Sequence, residues 1–306
     1  MENNSKLLVI GHTASDFIID VPEFPKPNTS AHMDSLKNLQ GGAAANVAMC
    51  AATFGLDTSL VSSVGESFLN SEYYYNFKKI GVNTDYFITV KDELIPTAIM
   101  VNDKEKDTIT YFYEGSGKAF GDADIPIDAI KSHDAIHLAT GNPDFNWKCS
   151  CEAKKQGKIL SFDPGQDLNT YSLERLKQVI ENSTILFGNN FEIDRIKDSL
   201  NLDIDGLLDL GPKIILKTCR EYGSYIYTKD NEYKVDAIYR PAVDPTGAGD
   251  SYKAGFLYYY LNGKSLVESA KFASSVSSFI VEKQGCQTNI PSLEEAKERM
   301  NNFYND

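Results

Sequence analysis

The thirteen residues Asp244-Pro245-Thr246-Gly247-Ala248-Gly249-Asp250-Ser251-Tyr252-Lys253-Ala254-Gly255-Phe256 hold the densest chemistry in the chain. Gly247 and Gly249 flank Ala248, and Asp250 follows at once. Glycine allows the tight turn that brings bare backbone close to a ligand. An apolar run at 256–261 continues from there, with no proline before Pro291, so the pattern predicts a helix that begins at the Gly-Ala-Gly turn. The unpaired N–H groups and positive dipole end of such a terminus form an anion site. Asp250 then has two readings. A carboxylate in the first helical turn ordinarily caps the helix or offsets its dipole. Alternatively it is a general base, taking a proton from a hydroxyl while neighbouring N–H groups hold the charge on a transferred phosphoryl group.

Hydrophobic patterning supplies the elements that must position this stretch. Short apolar runs at 7–10, 59–64, 135–139, 158–162, 184–187 and 213–216 read as strands, and helix-length segments separate most of them. Such alternation predicts an α/β fold, a mainly parallel sheet covered by helices on both faces. Gly11, Gly141, Asp163, Asn189 and Thr218 lie just beyond strands. Open α/β sheets bind ligands there, so these positions can converge on one crevice; equally, such residues end strands in any protein. Two stretches depart from the alternation. Residues 12–36 hold Phe17-Ile18-Ile19-Asp20-Val21 and then a proline-punctuated run, and 97–113 read as a hairpin around a tip of mixed charge, Asn102-Asp103-Lys104-Glu105-Lys106-Asp107. Together they predict a small second sheet. With no repeat or linker, residues 1–306 read as one domain, the small sheet being inserted from about 12–38 and 95–114.

Composition excludes several classes. At 306 residues and 42% apolar, the chain can build a large packed core, and no run approaches the roughly 18 apolar residues of a membrane span. Residues 1–6 are polar and lead straight into the first strand, too short for a signal-peptide core. A net charge of −13 offers no basic field for nucleic acid. A chain this acidic that handles phosphate must rely on backbone N–H groups, a few local cations and a divalent metal. The five cysteines (Cys50, Cys149, Cys151, Cys219 and Cys286) are scattered and contain no CxxC, which fits a reducing, cytoplasmic setting rather than disulfides or zinc. Gly263-Lys264-Ser265 imitates the tail of a phosphate loop, but Tyr258 stands where the first glycine is required.

The string at 244–256 closely resembles the C-terminal signature of the ribokinase family, the phosphofructokinase-B-type sugar and nucleoside kinases. That resemblance implies a ribokinase-like three-layer sandwich with a small β-sheet lid, which often makes a dimer contact. It assigns the catalytic base to Asp250 and the anion hole to Gly247, Ala248 and Gly249. Gly41-Gly42-Ala43-Ala44-Ala45-Asn46 fits the family's N-terminal signature, although on its own it reads as the opening of a helix packed close to a sheet. By resemblance Gly41, Gly42 and Asn46 contact substrate. Asp16 then matches the acid that grips two adjacent hydroxyls, as a carboxylate accepting two hydrogen bonds can.

Further roles follow from the same resemblance. Asp163 and Gln166, in a Pro-Gly turn, fall near the substrate or phosphate path. Asn189 and Glu192 fit the Asn-x-x-Glu element that organises Mg2+ through water; a helix N-terminal acid is the plainer reading of Glu192. Thr218, Arg220 and Gly223 lie along ATP, with Arg220 in place of a usual glycine, either holding the loop away from the phosphates or reaching them itself. Asp244 and Thr246, with the closing loop around Cys286, fit a site for a monovalent cation such as K+. Phe24-Pro25-Lys26-Pro27-Asn28-Thr29-Ser30, among other runs, is similar to the archaeal nucleoside kinases, broad-specificity members acting on the 5′-hydroxyl of guanosine, inosine and cytidine. Asn28 joins the substrate residues, and so does Tyr113, since Tyr111, Phe112 and Tyr113 in the hairpin can offer a face to a base, although aromatics in a strand more often simply pack. The partners expected are a nucleoside, ATP and a second copy joined through the lid. A sugar kinase on the same scaffold, and a ligand sensor that lost the chemistry, are the alternatives.

Overall fold

The computed structural model describes residues 5–105 and 107–304. Residues 1–4 and Lys106 of the hairpin tip, both part of the sequence reading, lie outside the described residues. In chain order the first strands are β1 (Lys6–Ile10), β2 (Ala14–Asp20), β3 (Ser35–Gly41), β4 (Asp57–Val61), β5 (Ser63–Gly65), β6 (Ile88–Val90), β7 (Thr97–Asn102) and β8 (Thr108–Tyr113). They are followed by β9 (Ala135–Leu138), β10 (Ile159–Phe162), β11 (Ile185–Asn189), β12 (Ile214–Thr218), β13 (Ser224–Tyr227) and β14 (Glu232–Val235). The helices are α1 (Ala43–Thr53), α2 (Glu72–Ile80), α3 (Ile127–Ser132), α4 (Pro143–Lys155) and α5 (Leu173–Asn182). Then come α6 (Asn190–Leu200), α7 (Ile204–Leu210), α8 (Ala248–Leu261), α9 (Leu266–Ile280) and α10 (Leu293–Tyr304).

The main sheet runs β14-β13-β12-β11-β10-β9-β1-β4. Pairings from β4 to β12 are parallel, and β13 and β14 add an antiparallel edge. Both faces are covered. Along β1, Leu7 and Val9 join one core with α1, α8 and α9, while Leu8 and Ile10 join a second core under α3–α7. This two-residue alternation places apolar side chains on each face, which is why the strand reads as an unbroken apolar run. α8 and α9 pack closely because Gly255 leaves room: a Cβ there would sit 3.1 Å from the Ala273 backbone.

The run expected as one strand at 59–64 is divided. β4 stays in the main sheet, whereas β5 turns away to pair with β6. Buried Ser62 marks the break, its Oγ accepting the Thr13 N–H at 3.0 Å.

The small sheet runs β3-β2-β7-β8. β2 and β7 are parallel and the outer pairs antiparallel. β3 reaches Gly41, farther than the insertion expected to end near 38, so the lid runs directly into the turn that starts α1. Register sorts its side chains onto two faces. Asp16, Ala98 and Phe112 align across three strands, with Ile18, Met100 and Thr110 as the next row on the same face. Phe17, Ile99, Tyr111 and Tyr113 belong to the other.

Candidate active site

The carboxyl ends of the parallel strands, the lid and the N-terminus of α8 enclose a cleft of about 520 Å³. Asp16, Gly42, Asn46, Asp163, Gln166, Asn189, Glu192, Thr218, Thr246, Gly247, Gly249 and Asp250 all line it. They come from six separate parts of the sequence, brought together by the sheet order.

The N-terminus of α8 is built around Gly247, whose φ of 80° is left-handed and whose Cβ would lie 2.6 Å from that of Cys286. No side chain caps the helix. Gly247 and Gly249 donate no main-chain hydrogen bond within the described residues, which leaves their N–H groups for an anion. Ala248 departs from the expectation. Its N–H closes a turn onto the Pro245 carbonyl at 3.2 Å, and it does not line the cleft, so it shapes the hole rather than supplying a donor.

Asp250 faces the cleft and is held twice. Its Oδ2 accepts from Asn46 Nδ2 at 2.9 Å, and its Oδ1 from Lys253 Nζ at 3.2 Å. Asn46 is fixed in turn by Gln287, whose Nε2 donates to Asn46 Oδ1 at 2.8 Å. The same Gln287 amide reaches the Tyr73 hydroxyl at 2.6 Å, and Tyr73 donates to the Gly41 carbonyl at 2.7 Å. A buried polar chain thus links the helix base to the end of the lid strand. Gly41 also makes room for Asp16: a Cβ there would overlap the Asp16 carboxylate. Burial, then the charges of Asp244 and Asp250, push Asp16 up to about 6.

Elsewhere in the lining, His12 Nε2 lies 3.7 Å from Asp167 Oδ2. Burial lowers His12 to about 4 and raises Asp167 to about 6, the latter against a hydrogen bond from Gly141. Gln166 and Phe112 line the same cleft.

Asn189 and Glu192, also in the lining, form a reciprocal cap on α6. Asn189 Oδ1 accepts from Glu192 N at 2.9 Å, and Glu192 Oε2 from Asn189 N at 2.8 Å. The plain capping reading therefore holds, yet Oε1 of Glu192 has no hydrogen bond among the described residues. No cluster of three or more His, Cys, Asp or Glu suited to a metal occurs among the described residues. That donor set suits Mg2+ carried by phosphates and water and touched by few carboxylates. Asp244 acts as a brace: Oδ1 accepts from Thr246 N at 2.9 Å and Oδ2 from Gly285 N at 3.0 Å, tying the α8 turn to the closing loop.

Besides Gly41, Asp244 and Ala248, four expected residues lie away from the cleft lining. Arg220 has a φ of 51°, the conformation a glycine would take, and its guanidinium rests 5.6 Å from the Phe191 ring in a separate surface hollow. Gly223 closes that turn, donating to the Arg220 carbonyl at 3.1 Å. Asn28 is exposed in the loop after β2. Tyr113 sits on the outer face of β8 and donates to Glu93 Oε1, because alternation along the strand turns Thr110 and Phe112 inward instead. Conversely, Lys253, His12 and Asp167 line the cleft without having been assigned a role. Lys253 had a legible signal: three residues after Asp250 on a helix, it shares that residue's face.

Residues 4–293 match the pfkB family of carbohydrate kinases. A nucleoside kinase of Methanothermobacter thermautotrophicus is 51% identical over 299 residues, 98% of this chain and 96% of the relative. A nucleoside kinase of Methanocaldococcus jannaschii is 39% identical over 96% of each chain. The crystal structure of the M. jannaschii nucleoside kinase, described as an archaeal member of the ribokinase family, superposes with a TM-score of 0.93 at 38% identity, covering 99% of this chain and all 100% of that one. Arabidopsis thaliana ribokinase, solved with ribose and ATP, shares the fold at a TM-score of 0.85 and 20% identity, covering 97% and 98% of the two chains. With a ribokinase-like sandwich, a β lid and the Gly-Ala-Gly-Asp turn at their junction, the chain belongs to the pfkB family of carbohydrate kinases.

Proposed function

We propose that the protein is an ATP-dependent nucleoside kinase, moving the γ-phosphate of ATP onto the 5′-hydroxyl of a nucleoside. One observation carries the reading. Asp250 stands beside the free N–H groups of Gly247 and Gly249, is hydrogen-bonded to Asn46, and shares the cleft with Asp16. The half-identical nucleoside kinase relative gives the acceptor class.

In this reading Asp16 and Asn46 hold the ribose hydroxyls. Asp250 takes the 5′-hydroxyl proton as that oxygen bonds to the γ-phosphorus, and the bond to the β-phosphate oxygen breaks to release ADP. The N–H groups of Gly247 and Gly249 hold the charge on the transferred group, at a helix terminus where they need no reorganisation. The base lies toward His12, Gln166 and Asp167, under Phe112. Thr218 and Thr246 line the path of ATP. Mg2+, when bound, neutralises phosphate charge, and Glu192 and Asn189 are the residues beside which it and its waters would sit. The loop tied by Asp244 and Thr246 is the candidate for a monovalent cation.

Two copies are proposed to meet through the lid. Its outer face presents Leu36, Ile109 and Tyr111, exposed at 56%, 41% and 62%, beside Phe17 and Ile99 in register, an apolar surface that a partner would cover. No helix among the described residues is long and apolar enough to cross a membrane, and a cytoplasmic setting is proposed.

The test is an acceptor panel with ATP consumption as the readout. Guanosine, inosine and cytidine should be phosphorylated with kcat/KM at least about tenfold above ribose or fructose, the advantage of a filled base subsite. A preference for free sugars would place the protein among the sugar kinases, and no turnover with any acceptor would make it a binding protein.

A further inference from the structure

The cleft contains an ion triad that the proposed reaction does not yet use. Lys253 Nζ is paired with the Asp163 carboxylate, at the end of β10, and lies 3.2 Å from Asp250 Oδ1. The lysine side chain is only 14% exposed and Asp163 only 2%. Lys253 is the one Lys or Arg among the described residues that line the cleft, and the carboxylates of Asp16, Asp163, Glu192 and Asp250 share that space. We propose that Lys253 is a positioning residue for phosphoryl transfer: bridging Asp163 and Asp250, it fixes Oδ1 of the base and leaves Oδ2, steered by Asn46, to meet the substrate hydroxyl.

Three observations support this. First, geometry: Lys253 follows Asp250 by one helical turn, and Asp163 anchors the ammonium from the sheet side, so the base carboxylate is clamped between α1 and the sheet. Rotating Asp250 would break both the Asn46 and the Lys253 contacts. Second, charge: a base must be ionised to accept a proton, and this one lies among other acids. Burial opposes the ammonium, but Asp163, Asp250 and then Glu192 outweigh it and hold the lysine charged. Third, surroundings. The groups facing the pair from the packed elements are Asp163 after β10, Glu192 on α6, buried His137 on β9, and, around Asp250, Asp16 on β2, Asp244, Cys50 and Cys286. None of these supplies a positive charge: burial and then Lys253 lower His137 to about 3, so it is neutral. Among the described residues that line the cleft, Lys253 is the one cationic side chain beside these acids.

The inference rests on the kinase reading, and its test separates the two. Lys253→Met, Lys253→Arg, Asp163→Asn and the double variant Lys253→Met/Asp163→Asn are assayed with saturating ATP and the best acceptor across about pH 5–9. Lys253→Met is expected to lower kcat roughly 10–100-fold, with nucleoside Kd within about threefold, and to move the acidic limb of kcat/KM upward by about one pH unit. Lys253→Arg should restore most of the rate and return the limb. Asp163→Asn leaves the ammonium to Asp250 alone and should move the limb the other way. Lys253→Met leaves Asp163 buried without a counter-charge and could fail to fold. The double variant removes both charges and should still show the raised limb. An unmoved limb with retained kcat in the folded double variant overturns the proposal, assigning Lys253 to a purely structural pair. A wild-type protein that phosphorylates no acceptor overturns the kinase reading with it, whereas an active one with an unmoved limb overturns this inference alone.

Discussion

Asn46 and Asp250, 204 positions apart in sequence, share a hydrogen bond of 2.9 Å from the amide Nδ2 to the carboxylate Oδ2. It joins the first turns of α1 and α8, so the two glycine-led helix starts act as one site. Asn46→Ala should lower kcat and raise the nucleoside KM, each by roughly tenfold, because the amide is placed to orient both base and ribose. Asn46→Asp should be worse above about pH 7 than below about pH 5, since two adjacent carboxylates repel once both are ionised. Steady-state kinetics at the two pH values check this.

Asp16 makes the cost of building such a site measurable. Its carboxyl, ordinarily at 3.8, is raised to about 6, so the folded protein holds that proton more tightly than the unfolded chain does. The ionised group therefore opposes folding; the penalty sets in as pH passes about 4 and is complete above about 6, of order 2–3 kcal/mol before solvent relaxation. Asp16→Asn should raise the Tm of the ligand-free protein at pH 7.5 and leave it nearly unchanged near pH 4. The same variant should lose nucleoside affinity by roughly 100-fold, as two charge-assisted hydrogen bonds are weakened. Thermal melts at both pH values and nucleoside titration test the two halves.

The two faces of β8 give a paired prediction. Phe112→Ala should raise the nucleoside KM by about tenfold and leave the oligomeric state alone, because the ring lines the cleft. Tyr111→Glu, on the exposed outer face, should leave KM within about twofold and shift the protein toward monomer in size-exclusion chromatography. Exchange of these outcomes would put Tyr111 at the substrate and Phe112 at the interface, contrary to this pairing of β7 with β8.

Much of this site was legible in the sequence because it is carried by short local patterns. The turn before Asp250 and the helix after it are fixed by glycine spacing and an apolar run, and α8 begins within that stretch. The apolar strands 7–10, 135–139 and 184–187 were clear because burial on both faces removes alternation and leaves continuous hydrophobic runs. What was hidden depends on pairing. β3 reads Ser-Leu-Lys-Asn-Leu-Gln-Gly, with no clean period, and becomes a strand only by pairing along the whole of β2. The inward choice of Phe112 over Tyr113 is set by register to β7, which no local pattern reveals. Arg220, in a usual glycine position, left open whether its side chain reaches the phosphates; it adopts the glycine-like φ and turns its side chain onto Phe191. Ala248 looked equivalent to its glycine neighbours, but its N–H is taken up by the Pro245 carbonyl.

Asp250 is the proposed base, and the deciding measurement is single-turnover transfer of γ-labelled phosphate from ATP to the preferred nucleoside by Asp250→Asn. The amide preserves size but keeps one acceptor oxygen, enough for Lys253 Nζ or Asn46 Nδ2 and not both, and it cannot accept the hydroxyl proton. The transfer rate should fall by about 10²–10⁴-fold, with nucleoside Kd within about threefold. A variant that transfers phosphate at close to the wild-type rate would contradict the account.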